Sequence, residues 1–345
     1  MTDLTAVAAQ ERSDLEAARN GDEAAFARLV EPHRRALHAH CYRMLGSVHD
    51  AEDALQEALL GAWRGLGGFE RRASLRSWLY RIATNASIRV SQRRSRRVLA
   101  AEHAPASSSV HELGEPITEA VFVEPYPDTE LGDWAGYAEP EARYELLESV
   151  ELAFVAALQE LPATQRAVLV LRDVLAMPAA EVAETLTTSV ASVNSALQRA
   201  RQTMDGRLAP VSQQKTLRAL GDAGQRELVN ALVRAWERSD IDGIVSLLAE
   251  DARFTMPPLP AWFDGRSAVR QFFVERLFEN PWRLAPMTAN GQLVVACYMG
   301  DTAGKTFPLS GINVLTLRGH QIIEMDAFLG PEAQQPFGLP PEARR

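Results

Sequence analysis

Four residues recur at four-residue steps in the stretch "SLRSWLYRIATNASIRVSQRRSRR": Arg81, Asn85, Arg89 and Arg93. On a helix that spacing gathers three guanidinium groups and an amide into one stripe. A guanidinium is a planar fork of donors that binds phosphate in a bidentate fashion, and an amide can bond a base edge. Ten arginines lie between Arg64 and Arg97, interrupted by one acid, Glu70, in a chain whose formal net charge is -9. Phe69, Trp78 and Tyr80 sit among them. Arginines that merely solvate a helix usually alternate with acids. A row without acids repels itself unless an anion lies against it. Phosphate neutralisation beside a stacking surface is what a separated nucleic-acid strand requires.

The apolar residues supply the platform. Leu75, Trp78, Leu79, Ile82, Ala86 and Val90 fall three or four apart, which predicts a helix from Ser74 to Arg94 with one buried face. Ser74 is its expected N-cap, after the Gly-rich break in "GGFERRAS". The preceding helix, "SVHDAEDALQEALLGAWRGL", places Ala51, Ala54, Leu55, Ala58, Leu59 and Trp63 inward. Its acids, Asp50, Glu52, Asp53 and Glu57, suit the positive end of a helix dipole and equally suit a docking face for a basic partner. His38, His40 and Cys41 in "HAHC" resemble a metal cluster at first sight. Residues two apart point to different helix faces and no second ligand pair is visible, so no metal site and no cofactor is expected.

These helices resemble region 2 of a sigma-70-family factor of the extracytoplasmic-function type. The resemblance runs from "DEAAFARLVEPHRRALHAHC" through "DAEDALQE" to "SLRSWLYRIATNASI". It implies that Asp50, Glu52, Asp53, Gln56 and Glu57 contact the clamp of core RNA polymerase, with the beta and beta-prime subunits as partners. It also implies that Phe69, Arg71, Arg72, Arg76, Trp78, Tyr80, Asn85 and Arg89 melt and read the -10 element of promoter DNA. Trp78 belongs to the apolar stripe as well, which favours a core place for it. Many relatives carry an acid a few residues after "ATN", where this chain has Arg89, so their -10 preference is not carried over.

A second helical block spans 143–208. In "ALQELPATQRAVLVLRDVLAMPAAEVAETLTTSVASVNSALQRARQTM" Pro162 opens one helix, where a missing N–H costs little. Val182 and Leu186 face inward from a short helix, and "TTS" turns the chain. Ser189 is the expected cap of the last helix, with Val190, Val193 and Leu197 inward. Ser192, Asn194, Ser195, Gln198, Arg199 and Arg201 then face outward, as in a helix-turn-helix that reads duplex DNA. The layout resembles sigma region 4, which implies contact with the -35 element. Between the blocks, residues 98–142 hold ten carboxylates and no Lys or Arg, which reads as an acidic flexible linker. In the resembled factors such a connector threads polymerase channels. Its charge, opposite to that of the Arg81 helix, also suggests self-inhibition in the free factor.

After a connector at 209–224, residues 225–336 change character. "QRELVNALVRAWERSDIDGIVSLLAEDARFTMPP" predicts two helices and a strand, and "GRSAVRQFFVERLF" a third helix. Four strand-like runs follow, divided by turns at Asn290-Gly291, 301–304 and Arg318-Gly319. An α+β cone with an antiparallel meander is expected, resembling the SnoaL-like fold. That resemblance implies one apolar pocket that could take a small-molecule ligand. Its candidates are Trp236, Phe254, Trp262, Phe263, Asn290, Tyr298, Asn313, Asp326 and Phe328. Asp326 could serve as a general base, but the one histidine here, His320, lies by a turn and no acid–base pair is apparent. Aromatic filling of the cone is favoured over catalysis, and a regulatory or ligand-sensing role over an enzymatic one. A related sigma group has a "DGGG"-type signature where this chain has "SDIDGIVSLLAEDA", so that group's regulatory contacts are not carried over.

The expected organisation is region 2 at 15–97, linker at 98–142, region 4 at 143–208, connector at 209–224 and SnoaL-like domain at 225–336. At 345 residues and 46% hydrophobic, the chain can fill several cores. Cys41 and Cys297 fall in different domains, no apolar run is long enough to span a bilayer, and the N-terminus lacks a secretory pattern. A cytoplasmic factor without a membrane partner is expected, monomeric in polymerase; the residues name no anti-sigma partner. Two other functions stay open: a ligand-sensing regulator that binds duplex DNA by itself, and a SnoaL-like isomerase or hydrolase with an accessory N-terminal part.

Overall fold

Local caps set the helix boundaries of the N-terminal part. The computed structural model describes residues 2–70, 74–119, 121–131, 145–301 and 305–343. Arg71, Arg72 and residues 132–142 of the acidic stretch lie outside the described residues. After α1 (Thr2–Arg19), Asp22 accepts Ala25 N to start α2 (Glu23–Leu45), and Gly46 at φ 68° ends it. Ser47 caps α3 (Val48–Gly65) and Ser74 caps α4 (Leu75–Ser91). The one-turn α5 (Ala100–His103) and α6 (Leu152–Gln159) follow. The helix-turn-helix consists of α7 (Ala163–Leu169), a π-type turn (Val170–Val174), α8 (Ala179–Thr185) and α9 (Val190–Asp205). Ser189 accepts Ser192 N to cap α9, as its place in the sequence predicts.

The chain divides into two compact units. The first combines Met1–Arg94, Thr129–Trp134 and Leu158–Gly206; the second combines Ser95–Asp128, Ala135–Ala157 and Arg207–Arg345. In the first unit α2, α3 and α4 pack around Leu37, Tyr42, Met44, Leu55 and Leu79, all buried. The helix-turn-helix joins this bundle through Arg166, whose guanidinium donates to Met44 O, and Gln159, whose Nε2 donates to Arg43 O at 3.2 Å.

The second unit is α+β. Its helices are α10 (Gln213–Glu237), α11 (Ile241–Ser246), α12 (Arg266–Glu275) and the short α13 (Pro331–Gln334). The strands are β1 (Leu248–Thr255), β2 (Trp262–Asp264), β3 (Trp282–Ala289), β4 (Gln292–Met299), β5 (Leu309–Arg318) and β6 (Gln321–Phe328). They form one sheet in the order β2-β1-β6-β5-β4-β3. The expected antiparallel meander is β3-β4-β5-β6, and β1 joins its last strand in parallel, which makes the sheet mixed. The chain crosses to the far edge through α12, and three reversals from β3 bring β6 back alongside β1. The Asn290-Gly291 hairpin turn has positive φ at both residues (55° and 65°), as its sequence predicts.

Two boundary expectations also change. The connector at 209–224 is helical from Gln213, with a break at Gly221 (φ 67°, ψ 164°). The described part of the acidic stretch is fixed to the second unit instead of hanging free. Ser107 N donates to Trp262 O at 2.8 Å, Ile117 N to Pro258 O at 2.9 Å and Tyr126 N to Asn290 Oδ1 at 2.7 Å. Val110, Val121, Phe122 and Tyr126 are buried. Composition counts the carboxylates; the anchors are backbone groups and scattered apolar residues without periodicity.

Candidate nucleic-acid and polymerase interfaces

α4 separates its two kinds of residue cleanly. Leu75, Leu79, Ala83 and Ala86 are buried, while Arg76, Arg81, Asn85 and Arg89 are exposed. Phe69 and Trp78, 6% and 7% exposed, pack ring on ring as part of the core, with centroids 4.9 Å apart and planes tilted by 33°. The loop carrying Phe69 is held by Arg19, a residue the sequence pattern does not single out; its guanidinium donates to Phe69 O and Leu66 O. Tyr80 needs correction. It is 1% exposed, edge-on to His40 at 5.2 Å, and burial raises its phenol pKa. It sits next to Leu79 on the inner side of the helix, with the Arg76 guanidinium over its ring. Arg89 donates to Glu57 Oε1 at 3.1 and 2.7 Å, so an expected DNA contact and an expected polymerase contact are paired with each other.

A cleft of about 750 Å³ lies beside this face in the first unit. Phe69, Trp78 and Arg81 line one side; Glu181, Glu184 and Val190 line the other. Val190, expected inward, is 44% exposed because it opens α9 at the cleft, one turn ahead of the inward Val193.

On α3 the five acidic-face candidates divide. Asp50 is 4% exposed and lies 3.1 Å from the Arg94 guanidinium. Glu52 is half-buried, accepting from Arg34 and from Gln56, both at 3.0 Å. Asp53, Gln56 and Glu57 are exposed. Leu60, 56% exposed, extends them at positions three, four and seven along one face. The sequence reading missed it. The available signal was the Leu59-Leu60 pair, of which a helix can turn only one fully inward.

Ser192, Asn194, Ser195, Gln198, Arg199 and Arg201 are all exposed on α9, above buried Val193, Ala196, Leu197, Ala200 and Met204. Ser192 is engaged in the cap, 3.0 Å from Ser189 Oγ. Arg201 is paired with Asp173 at 2.9 and 2.7 Å, and that pairing raises the guanidinium pKa.

The second unit holds a partly open cavity of about 240 Å³. Of the expected pocket residues, Trp236, Phe254 and Asn313 line it. Asp326 does not. Strand alternation turns Ala327 toward the cavity and Asp326 to the other face, with Phe328. There Asp326 accepts from Thr255 Oγ1 at 2.8 Å. Burial holds the carboxyls of Asp326 and Glu324 above their usual range, and the neighbouring charge lifts Glu324 further. Tyr298 lies on the opposite parity from the lining residue Cys297. Trp262 donates its indole N–H to Ala104 O at 2.7 Å, and Phe263 stacks on Phe272 at 4.6 Å. Asn290 is a turn residue that bonds Tyr126 N and Val150 O. His40 lies 2.9 Å from Thr84 Oγ1, its pKa pushed down to about 3 by burial. Among the described residues no group of three His, Cys, Asp or Glu could hold a metal ion, and no helix is long and apolar enough to cross a membrane.

Known proteins give this arrangement a context. Residues 29–97 match sigma-70 region 2, residues 151–204 match sigma-70 region 4, and residues 229–325 match a SnoaL-like domain. The ECF RNA polymerase sigma factor SigG of Mycobacterium tuberculosis is 40% identical over 326 residues, which cover 93% of this chain and 85% of SigG. SigJ of the same organism is 30% identical over 222 residues, 64% of this chain and 62% of SigJ. The crystal structure of SigJ matches 90% of this chain and 98% of its own with a TM-score of 0.57; at 24% identity this shows a common fold. The chain belongs to the extracytoplasmic-function sigma factors of the sigma-70 family, with a SnoaL-like domain after region 4.

Proposed function

We propose that this sigma factor docks on the core polymerase clamp through the Asp53, Gln56, Glu57 and Leu60 face of α3. The exposed stripe of α4 holds the melted -10 strand, with the Phe69–Trp78 stack as its buried support, and Asn194, Ser195, Gln198 and Arg199 on α9 read the -35 duplex. The observation that carries this reading is the segregation on α4. Three guanidinium groups and an amide stand exposed beside an aromatic stack, on a helix whose other face is core. Phosphates take the cations, and the amide bonds a base edge. The C-terminal unit regulates initiation, and its buried aspartate, Asp326, faces away from the cavity.

In vitro transcription with core polymerase and a library of genomic promoter fragments tests the assignment. The full chain is expected to give specific start sites. Asp53→Arg with Leu60→Ala should weaken core binding about tenfold or more, roughly 1.4 kcal/mol. Arg81→Ala with Asn85→Ala should leave core binding intact and reduce open-complex formation by a similar factor. Absence of both transcripts and core binding overturns the proposal.

A further inference from the structure

Two arginines stand exposed on the outer side of α9, and they are not equivalent. The Arg199 guanidinium is engaged by no hydrogen bond or ion pair among the described residues. Arg201 donates from Nε to Asp173 Oδ2 at 2.9 Å and from Nη2 to Asp173 Oδ1 at 2.7 Å. Two parallel bonds between planar groups make the firmest form of such a pair. Asp205, one helical turn on, adds its charge to the same guanidinium. By spacing alone the two arginines look alike. Asn194, Gln198 and Arg201 fall four and three residues apart, so Arg201 continues the stripe of amides that bond base edges.

The partner is held in place by its own turn. Asp173 lies in the π-type turn, where Leu175 N donates five residues back to Val170 O at 3.0 Å. Met177 N donates to Leu171 O at 2.9 Å, and the Arg172 guanidinium donates to Met177 O. Val170 and Leu171 are buried beneath. Asp173 is thus fixed from both sides, and its side chain is 32% exposed against 58% for that of Arg201. An exposed ion pair adds little to folding. Its larger effect is on the field that α9 presents to a polyanion. A phosphate takes Arg201 only by displacing Asp173, and the displaced carboxylate then lies beside the phosphate as a like charge. The pair brings no net charge to a duplex, whereas Arg199 brings one.

We propose that Asp173 is a positioning residue that keeps Arg201 off the phosphate backbone, so that region 4 holds its duplex through Arg199 and through base contacts from Asn194, Ser195 and Gln198. Cations on phosphates strengthen binding to every sequence alike. Withholding one lowers the affinity of region 4 for duplex of any sequence and leaves a larger share of it to the base contacts. This role rests on the placement of α9 on the -35 duplex.

The test uses holoenzyme with saturating core polymerase, a promoter from the fragment library and the same promoter with its -35 element scrambled. Affinity for each is measured over a series of potassium chloride concentrations. Inactive protein scales an affinity but leaves a salt slope unchanged. Asp173→Asn keeps the shape of the side chain and removes its charge. It should strengthen binding to both duplexes by the same factor, about threefold or more at low salt, and steepen the salt slope by about 0.9, the increment of one phosphate contact. Asp173→Asn with Arg201→Gln restores a neutral pair and should return affinity and slope to those of the natural chain. Arg199→Gln should weaken binding to the promoter. A double variant weaker than the natural chain, with a shallower slope, means that Arg201 already touches phosphate and overturns the proposal. Loss with Arg199→Gln and no gain with Asp173→Asn overturns it alone; no effect of either variant overturns the placement of α9 as well.

Discussion

Each unit ties distant stretches of chain together with buried side chains that bond to backbone, but the chemistry of the ties differs. In the first unit the main tie is a cation, with the Gln159 amide beside it. Arg166, 6% exposed, donates to Met44 O, to Gln159 Oε1 at 2.5 Å, to Gln159 O at 3.1 Å and to Leu161 O at 3.0 Å. Burial lowers its pKa to about 10. In the second unit most ties are neutral amides, and the buried cation there, Arg97, meets a carboxylate, Glu124 at 3.2 Å, as well as Phe122 O. Asn290 bonds Tyr126 and Val150; Gln292 bonds Leu152 N at 2.9 Å; Gln213 bonds both backbone groups of Leu317 at 2.9 and 2.7 Å. A buried amide needs only its hydrogen bonds. A buried guanidinium must also recover the cost of leaving water, and carbonyls recover it less fully than a carboxylate does. The joint between regions 2 and 4 therefore holds by a narrower margin than the joint between the acidic stretch and the cone. That suits the proposed engagement of promoter elements by two separate parts.

The sharpest test is Asn290→Ala. It orphans Tyr126 N and Val150 O, at roughly 1–3 kcal/mol each, and puts a Cβ-bearing residue without a polar side chain at φ 55°. The second unit should lose about 3–4 kcal/mol in urea unfolding, with the first unit's transition unmoved. A smaller loss than that of Arg166→Met would break the comparison.

Protons separate the units in the next largest effect. His40, in the first, has its pKa pushed down to about 3 by burial, against about 6.5 when unfolded. Between those values the unfolded chain binds more protons, so the first unit gains stability as pH rises to 6.5. Glu151, in the second, is pushed up to about 7 by burial, and Asp326 and Glu324 are raised as well. Their folded forms hold protons that the unfolded chain has released, so this stability is complete below about 4.5 and is lost as pH rises through 7. Calorimetric scans from pH 4.5 to 6.5 should show the two transitions moving in opposite directions. Glu151→Gln, which keeps an acceptor for Gln214 N, should flatten the second by on the order of 2 kcal/mol.

What the sequence made legible follows from the same contrast. Stripes at helical spacing, the caps Ser74 and Ser189 and the Asn290-Gly291 turn are local signals, and they place α4, α9 and the sheet's hairpin correctly. Val190 failed because it opens its helix, where the inward stripe has not yet met the core, and Tyr80, offered for DNA by the resemblance alone, falls beside Leu79 on the buried face. Asp326 failed because "QIIEMDAF" is mostly apolar or buried on both faces, so alternation gave no parity. Trp236 was found by its type. Leu113 was not, because it reaches the cavity through backbone bonds to residues about 150 positions away, and no pattern within the acidic stretch encodes them.

The smallest effect belongs to the charged tie itself. Arg166→Met keeps an apolar stem of similar reach and removes four donated hydrogen bonds. It also removes the need to desolvate a guanidinium that has no carboxylate among those partners. These contributions oppose each other, and replacement of buried ions by apolar residues is often close to neutral. The net loss in the first unit should be about 1–2 kcal/mol, half or less of the Asn290→Ala effect. Regions 2 and 4 should also part more readily, which paired fluorophores at exposed Gln56 and Gln198 would read as a longer mean separation. A loss above about 4 kcal/mol would mean that the guanidinium is fully compensated where it lies. The two joints would then be equally firm, and the parting of regions 2 and 4 would need a driving force supplied by polymerase.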